Sequence, residues 1–255
     1  MRKSKLVERL SGLDEVFTID DIRANTDMSD AALKKFLYRL KEDGWIEQIE
    51  RGKYIQLPLG AKKGEYTVNE FAIGSMLVEP HCIAYWSALH HYGFTEQIPS
   101  TVFVQTTSRK KHQRMKVFGV DYRFVRLVSE KFFGMVKERF ESKTVNITDK
   151  EKTIVDCLDK PQHCGGLIEV IKGLVEKDYD PIQLVEYAER IGNTGVIRRL
   201  GFLSDYYELK IEVPQLDKSI RNYLLLDPIM PETGEKNSEW RLTINLKEKE
   251  LEELR

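Results

Sequence analysis

Cysteine is scarce and odd in number. Cys82, Cys157 and Cys164 are the three in 255 residues, and no Cys-x-x-Cys pair occurs. A disulfide framework is therefore not expected, and a reducing compartment fits best. No apolar run reaches the roughly 18 residues that a membrane-spanning helix needs. Residues 1–12 open on charges and lack an apolar stretch suited to export, so the cytoplasm is the expected location. Net charge is missing too. The 40 Lys and Arg against 41 Asp and Glu leave −1, which excludes a uniformly basic nucleic-acid coat and a polyanionic tail but not a local basic site. Neither a P-loop nor Gly-x-Gly-x-x-Gly is present, and there is no repeat or low-complexity block. What is there is a chain with 41% hydrophobic residues, enough for a sizeable core and for one or two globular domains.

The near-zero total conceals an uneven distribution. Residues 101–143 carry 11 basic and 4 acidic side chains, whereas 144–255 carry 16 and 22. A basic middle of this kind is either an electrostatic footprint for nucleic acid or the internal counterpart of the acidic end.

Residues 4–12 read as a short helix with Ser4 as cap and Gly12 as stop. Thr18 caps a second, with Asp20 and Asp21 in its first turn, where the helix dipole favours acids. Ser29 caps a third, DAALKKFLYRLKEDG, which Gly44 ends. In it Leu33, Phe36, Leu37 and Leu40 form an apolar stripe, and Lys34, Lys35, Tyr38, Arg39 and Lys41 lie off it. WIEQIERGKYIQL follows as a hairpin turning at Arg51-Gly52. Three short helices and a hairpin make a winged helix-turn-helix, whose third helix enters the major groove of DNA. Base edges would meet its early residues, Ser29, Asp30, Ala31, Lys34, Lys35 and Tyr38, and Arg51 and Lys53 would touch phosphate or minor groove. A charged helix face is often only a solvated one. The order of the elements favours DNA, while the segment's zero net charge predicts weak single-site binding strengthened by pairing or cooperativity.

PLGAKKG at 58–64 is a linker by composition. Beyond it the pattern predicts helices from Thr67 to Glu79 and from Ala84 to Tyr92. Strands are predicted over 101–107, 117–128 and 144–148, and a basic loop over 108–116. A helix follows behind a Thr148/Glu151 capping box, and three more begin after Gly165-Gly166, at Asp180-Pro181 and at Gly195. The last part is predicted as a helix from Pro214 to Leu226, a loop over 227–237, a strand from Trp240 to Leu246 and a helical or frayed tail. The expected fold class is α+β. A winged helix-turn-helix at 1–60 precedes a larger mixed α/β domain at 65–255 with a small sheet and a helical C-terminal half.

Four stretches carry a family likeness: KEDGWIEQIERGKYIQL, HCIAYWSALHHYGFTEQIPSTVFVQTT, VNITDKEKTIVDCLDKPQHCGG and RRLGFL. Over about residues 1–210 the chain resembles the AbiEi antitoxins, the regulator half of the type IV AbiE abortive-infection toxin–antitoxin systems. The resemblance implies a repressor that binds inverted repeats in the double-stranded DNA of its own promoter. It also implies an antitoxin domain that counters a nucleotidyltransferase toxin without a stable complex. It carries DNA contact onto Lys34, Lys35, Tyr38, Arg39, Arg51 and Lys53. Arg109, Lys110, Lys111, Arg114 and Lys116 are candidates for additional phosphate contacts.

Enzymatic readings find little support. A metal nuclease would have to be built from Asp121, Glu151 and Lys152, but capping explains Glu151 and solvent explains Lys152. A nucleotidyltransferase would need carboxylates one residue apart after Gly74-Ser75, and none follows. Zinc would have to be drawn from His81-Cys82, Cys157 and His163-Cys164, whose spacing suits neither a ribbon nor a finger. Cys157 reads as core, and His90-His91 as a helix end. The expectation is a non-enzymatic protein, without cofactor or metal, that acts as a monomer or weak dimer cooperative on DNA. The alternative is a winged-helix regulator whose second domain senses a small ligand.

Overall fold

A computed structural model describes residues 12, 14–57, 69–140, 143–176 and 178–255. The helix expected at 4–12 lies outside them but for Gly12, as do the linker and Thr67. The chain is mixed α+β.

The first unit comprises β1 (Val16–Thr18), α1 (Ile19–Ala24), α2 (Asp30–Glu42), β2 (Ile46–Glu50) and β3 (Lys53–Gln56). Thr18 closes a capping box with Asp21: its hydroxyl accepts the Asp21 N–H at 3.2 Å, and the Asp21 carboxylate accepts the Thr18 N–H at 2.6 Å. Gly52, at φ 78°, supplies the left-handed residue that the β2–β3 turn needs. The sequence pattern did not mark β1. It pairs antiparallel with β3, in the sheet order β1-β3-β2.

Strand alternation gives this small sheet two buried faces. Phe17 and Tyr54, paired across β1 and β3 with rings 5.7 Å apart, pack under α2 with Leu33, Phe36, Leu37 and Leu40. Val16 and Ile55, the neighbouring pair, face the other way. They share a core with Phe71 and Met76 of α3 (Glu70–Leu77), so the unit is seated on the second one.

The second unit is built on a six-stranded mixed sheet, ordered β6-β7-β5-β4-β9-β8. Its strands are β4 (Cys82–Ile83), β5 (Thr101–Thr106), β6 (Arg114–Val117), β7 (Val120–Arg126), β8 (Met135–Phe140) and β9 (Lys143–Thr148). Val104, Tyr122, Val145 and Ile147 face α3. Phe103 and Val125 face a helical layer. That layer comprises α4 (Trp86–His91), α5 (Lys150–Asp159), α6 (Leu167–Glu176), α7 (Pro181–Ile191) and α8 (Thr194–Tyr206). A three-stranded sheet of β10 (Leu224–Leu225), β12 (Leu242–Ile244) and β11 (Glu235–Asn237), followed by α9 (Glu248–Glu252), completes the chain.

Several local expectations need correction. Asn69 caps α3, its side chain accepting the N–H groups of Phe71 and Ala72. The stretch read as one helix from Ala84 begins on strand β4 and becomes helical only at Trp86. The basic loop is half strand: β6 pairs with β7, and the long strand read over 117–128 is turned by Phe118 and Gly119, both at positive φ. The capping box before α5 does not form. Asp149 caps instead, Thr148 Oγ1 lies 2.7 Å from Thr153 Oγ1, and Glu151 accepts the Asp180 N–H at 2.7 Å. Lys152 is wholly buried, not solvated, and its ammonium pairs with Asp156.

The helix expected from Pro214 to Leu226 is irregular chain leading into β10. The guanidiniums of Arg198 and Arg199 supply the reason. Arg198 donates to the Asn222 carbonyl at 3.0 Å, and Arg199 to Leu226 at 2.8 Å and Leu225 at 3.2 Å. These carbonyls act as the partners of two buried cations, which a helix would have used for its own ladder. Trp240 lies so close to Gly201 that a Cβ there would sit 2.2 Å from the indole. β11 lies within the expected loop, and Leu242–Ile244 is the core of the expected last strand.

Candidate nucleic-acid interface

Helix α2 starts where Ser29 Oγ accepts the Ala32 N–H at 3.4 Å and stops at Asp43, with Gly44 following at φ 71°. Its four apolar residues are buried against the sheet, which fixes the rest of its surface in solvent. Lys34, Tyr38 and Lys41, at i, i+4 and i+7, line up on one flank of that surface. Tyr38 is 64% exposed, a large aromatic kept out of the core.

That flank looks across a groove at the β2–β3 hairpin. Lys34, Leu37, Tyr38 and Lys41 form one wall, and Gln48, Arg51, Gly52 and Tyr54 the other. Ile19, Arg23 and Asp30 close one end, and the enclosed volume is about 650 Å³. Arg23 donates to Asp20 at 2.7 Å and to Asp30 at 2.9 Å, tying α1 to the first turn of α2. Among the described residues Lys34, Lys41 and Arg51 make no ion pair, and all three are exposed. The groove is therefore cationic, with an aromatic hydroxyl at its lip. It suits a polyanion whose phosphates meet the cations while the helix meets whatever lies between them.

The expected contact residues separate into two groups. Lys34, Tyr38 and Arg51 come together in the groove. Lys35 and Arg39 are exposed but about 100° further round the helix from Lys34 and Tyr38, and they line no part of it. The Ser29 hydroxyl is engaged as the cap. Lys53 faces the second unit. It donates to Glu50 at 3.0 Å and to the Leu77 carbonyl at 3.0 Å. In the basic stretch of the second unit, Arg109 and Lys111 are exposed on the loop before β6. Arg114 and Lys116 are exposed on edge strand β6, opposite Arg123 and Asp121. Lys110 is folded inward, only 15% exposed, against Glu50 and Leu77.

Lys41, Gln48 and Arg23 were not among the expected contacts. The helical spacing of Lys41 from Lys34 and Tyr38 was legible. Gln48 joins only through the register that sets it opposite Tyr54.

Residues 2–55 match the family described as "Transcriptional regulator, AbiEi antitoxin". This segment is similar to that of an AbiEi regulator. The match covers the whole groove, its helices and its hairpin. No curated protein matches the chain. Among solved structures, the crystal structure of the RV2827C protein from Mycobacterium tuberculosis is similar over 99% of this chain and 95% of its own, with a TM-score of 0.66 at 15% identity. At that identity the likeness concerns the fold. It runs beyond the matched segment to nearly the full length.

No helix among the described residues is long and apolar enough to cross a membrane.

Proposed function

We propose that this protein is a DNA-binding repressor and antitoxin that autoregulates a toxin–antitoxin operon and counters a nucleotidyltransferase toxin, with no catalytic activity of its own. The observation that carries the DNA-binding part is the groove in which Lys34, Tyr38, Lys41 and Arg51 converge, its three cations in no ion pair among the described residues. In this reading α2 enters the major groove of an inverted-repeat operator and Arg51 on the wing meets the adjoining backbone. The exposed Arg109 and Lys111 flank Lys110, which is bonded to Glu50 beside the wing tip. That proximity supports their role as further phosphate contacts. The antitoxin part follows from the family of the N-terminal segment.

A gel-shift titration against the DNA upstream of its own gene, at two salt concentrations and beside a scrambled duplex, tests the regulator. Selective, salt-sensitive shifts are expected, weakened when Lys34 and Arg51 are replaced by Ala. Equal binding to both duplexes would refute sequence-selective autoregulation. Co-expression with the neighbouring gene tests the antitoxin, whose second unit is expected to restore growth that the neighbour arrests.

A further inference from the structure

Three charged side chains meet at the seam between the two units, two from the β2–β3 hairpin and one from a loop 60 residues beyond Glu50. A bulge between Gln48 and Glu50 sets Glu50 opposite Lys53, one residue either side of the Arg51-Gly52 turn. The Lys53 ammonium donates to Glu50 and to the carbonyl of Leu77, and the Lys110 ammonium reaches the same two acceptors from the loop before β6. Lys110 also sits 4.4 Å above the Phe124 ring.

Leu77 ends α3, where the carbonyls have no partners within the helix and the dipole attracts cations. The three side chains are between 15% and 35% exposed, so their attraction is only partly screened by water. Burial works to raise the Glu50 carboxyl, but the hydrogen bonds and charges of Lys53 and Lys110 outweigh it and hold its pKa below the ordinary value. Beneath this cluster Val16 and Ile55 are fully buried with Phe71 and Met76. At another point of the seam Lys143 lies 3.5 Å from Asp14. The wing is thereby held by an apolar floor and by a polar latch next to its tip.

We propose that Glu50 and Lys110 are positioning residues that latch the wing to the end of α3, so that the second unit sets the angle at which Arg51 meets DNA. This rests on the DNA-binding reading and gives Lys110 a role other than phosphate contact. Its ammonium, held between a carboxylate and a helix carbonyl and only 15% exposed, is turned inward from any phosphate at the surface.

Electrostatics alone and positioning predict opposite signs for one variant. Glu50→Gln removes an anion next to the polyanion, so a purely electrostatic role tightens binding, whereas a latch role loosens it. The experiment titrates the full chain, wild type, Glu50→Gln, Lys110→Met and the double variant, with the upstream duplex across a salt series. Hydrogen exchange of the free proteins is followed in parallel. The latch predicts about 3- to 30-fold weaker binding for each single variant. The double variant is expected to be little worse than either, because one interaction is being removed. The slope of log affinity against log salt stays unchanged, and amides of β2 and β3 exchange faster without DNA.

A slope reduced by about one in Lys110→Met would make Lys110 a phosphate contact and overturn the proposal. Tighter binding by Glu50→Gln, or unchanged exchange in the hairpin, would overturn it equally. Absence of selective binding by the wild type would instead sink the DNA-binding reading. In that case the exchange data alone would still show whether the latch forms.

Discussion

The basic residues of α2 and those of the second unit's interior are of the same type and meet opposite ends. Lys34, Lys41 and Arg51 line an open groove and form no ion pair there, Asp30 at its end being tied to Arg23. Lys152, Arg198 and Arg199 are almost wholly buried and engaged with polar partners: Lys152 with Asp156, Arg198 with the Asn222 carbonyl, and Arg199 with the carbonyls of Leu158, Leu225 and Leu226. Asp156 is completed by a 2.6 Å hydrogen bond from Gln105 of β5. The difference lies in the neighbours. A cation on the solvent side of a four-residue apolar stripe stays available, whereas one whose helix packs on both sides must find acceptors or be excluded. Available cations are free to meet a partner outside the protein, and buried ones help to specify the fold.

The largest way to break this comparison is Lys152→Met. It leaves the Asp156 carboxylate buried without its counter-charge, and about 3–5 kcal/mol of stability should be lost in a denaturant titration. Replacing Asp156 by Leu in the same chain should recover much of that loss. Leu37→Ala comes next, at about 2–5 kcal/mol, because Leu37 is packed beneath the exposed basic surface of α2. An unchanged melting temperature would show that α2 is not seated on its sheet.

Smaller still is the effect of emptying the groove. Lys34→Ala and Arg51→Ala should leave the melt in place and weaken operator binding, by about 1–3 kcal/mol for each base edge that the truncated side chain no longer reaches. Lys35→Ala and Arg39→Ala, on the other flank, should do less. Equal losses from both pairs would show that the whole helix surface, and not the groove, meets DNA.

A further expected effect concerns pH. Burial, reinforced by the charges of Arg123 and Lys160, pushes the His163 pKa down to about 4. The unfolded chain therefore binds the proton more readily than the native one. The stability this confers is complete above the ordinary histidine range near 6.5 and drains away as pH falls from there toward about 4. Denaturation midpoints should decline between about pH 7 and 5, and His163→Gln should flatten the decline.

Local signals were legible wherever one segment held the whole cause. The caps at Thr18 and Ser29, the stripe of α2, the Arg51-Gly52 turn, the Pro181 start of α7 and the apolar position of Cys157 all follow from residues within a turn or two of one another. β1 was missed because three residues carry too little alternation to be seen, and their pairing partner is β3, far along the chain. The Pro214 helix was wrongly expected because its apolar spacing is helical, while the acceptors that Arg198 and Arg199 need are visible only in three dimensions. In the basic patches the charges were legible and their occupancy was not. Lys53, Lys110 and Lys152 read like any other lysine until Glu50, the Leu77 carbonyl and Asp156 are brought beside them.

By itself, then, the sequence determined most of the helical segments, which faces are apolar and where positive charge concentrates, because these depend on spacings within a few residues. Tertiary structure decided which lysines remain open to a partner, which face of the three-stranded sheet meets the second unit, and what holds the wing. Those outcomes turn on burial and on contacts between segments separated by long stretches of chain, such as the 60-residue gap between Glu50 and Lys110, and no local pattern encodes which cation finds an acceptor first.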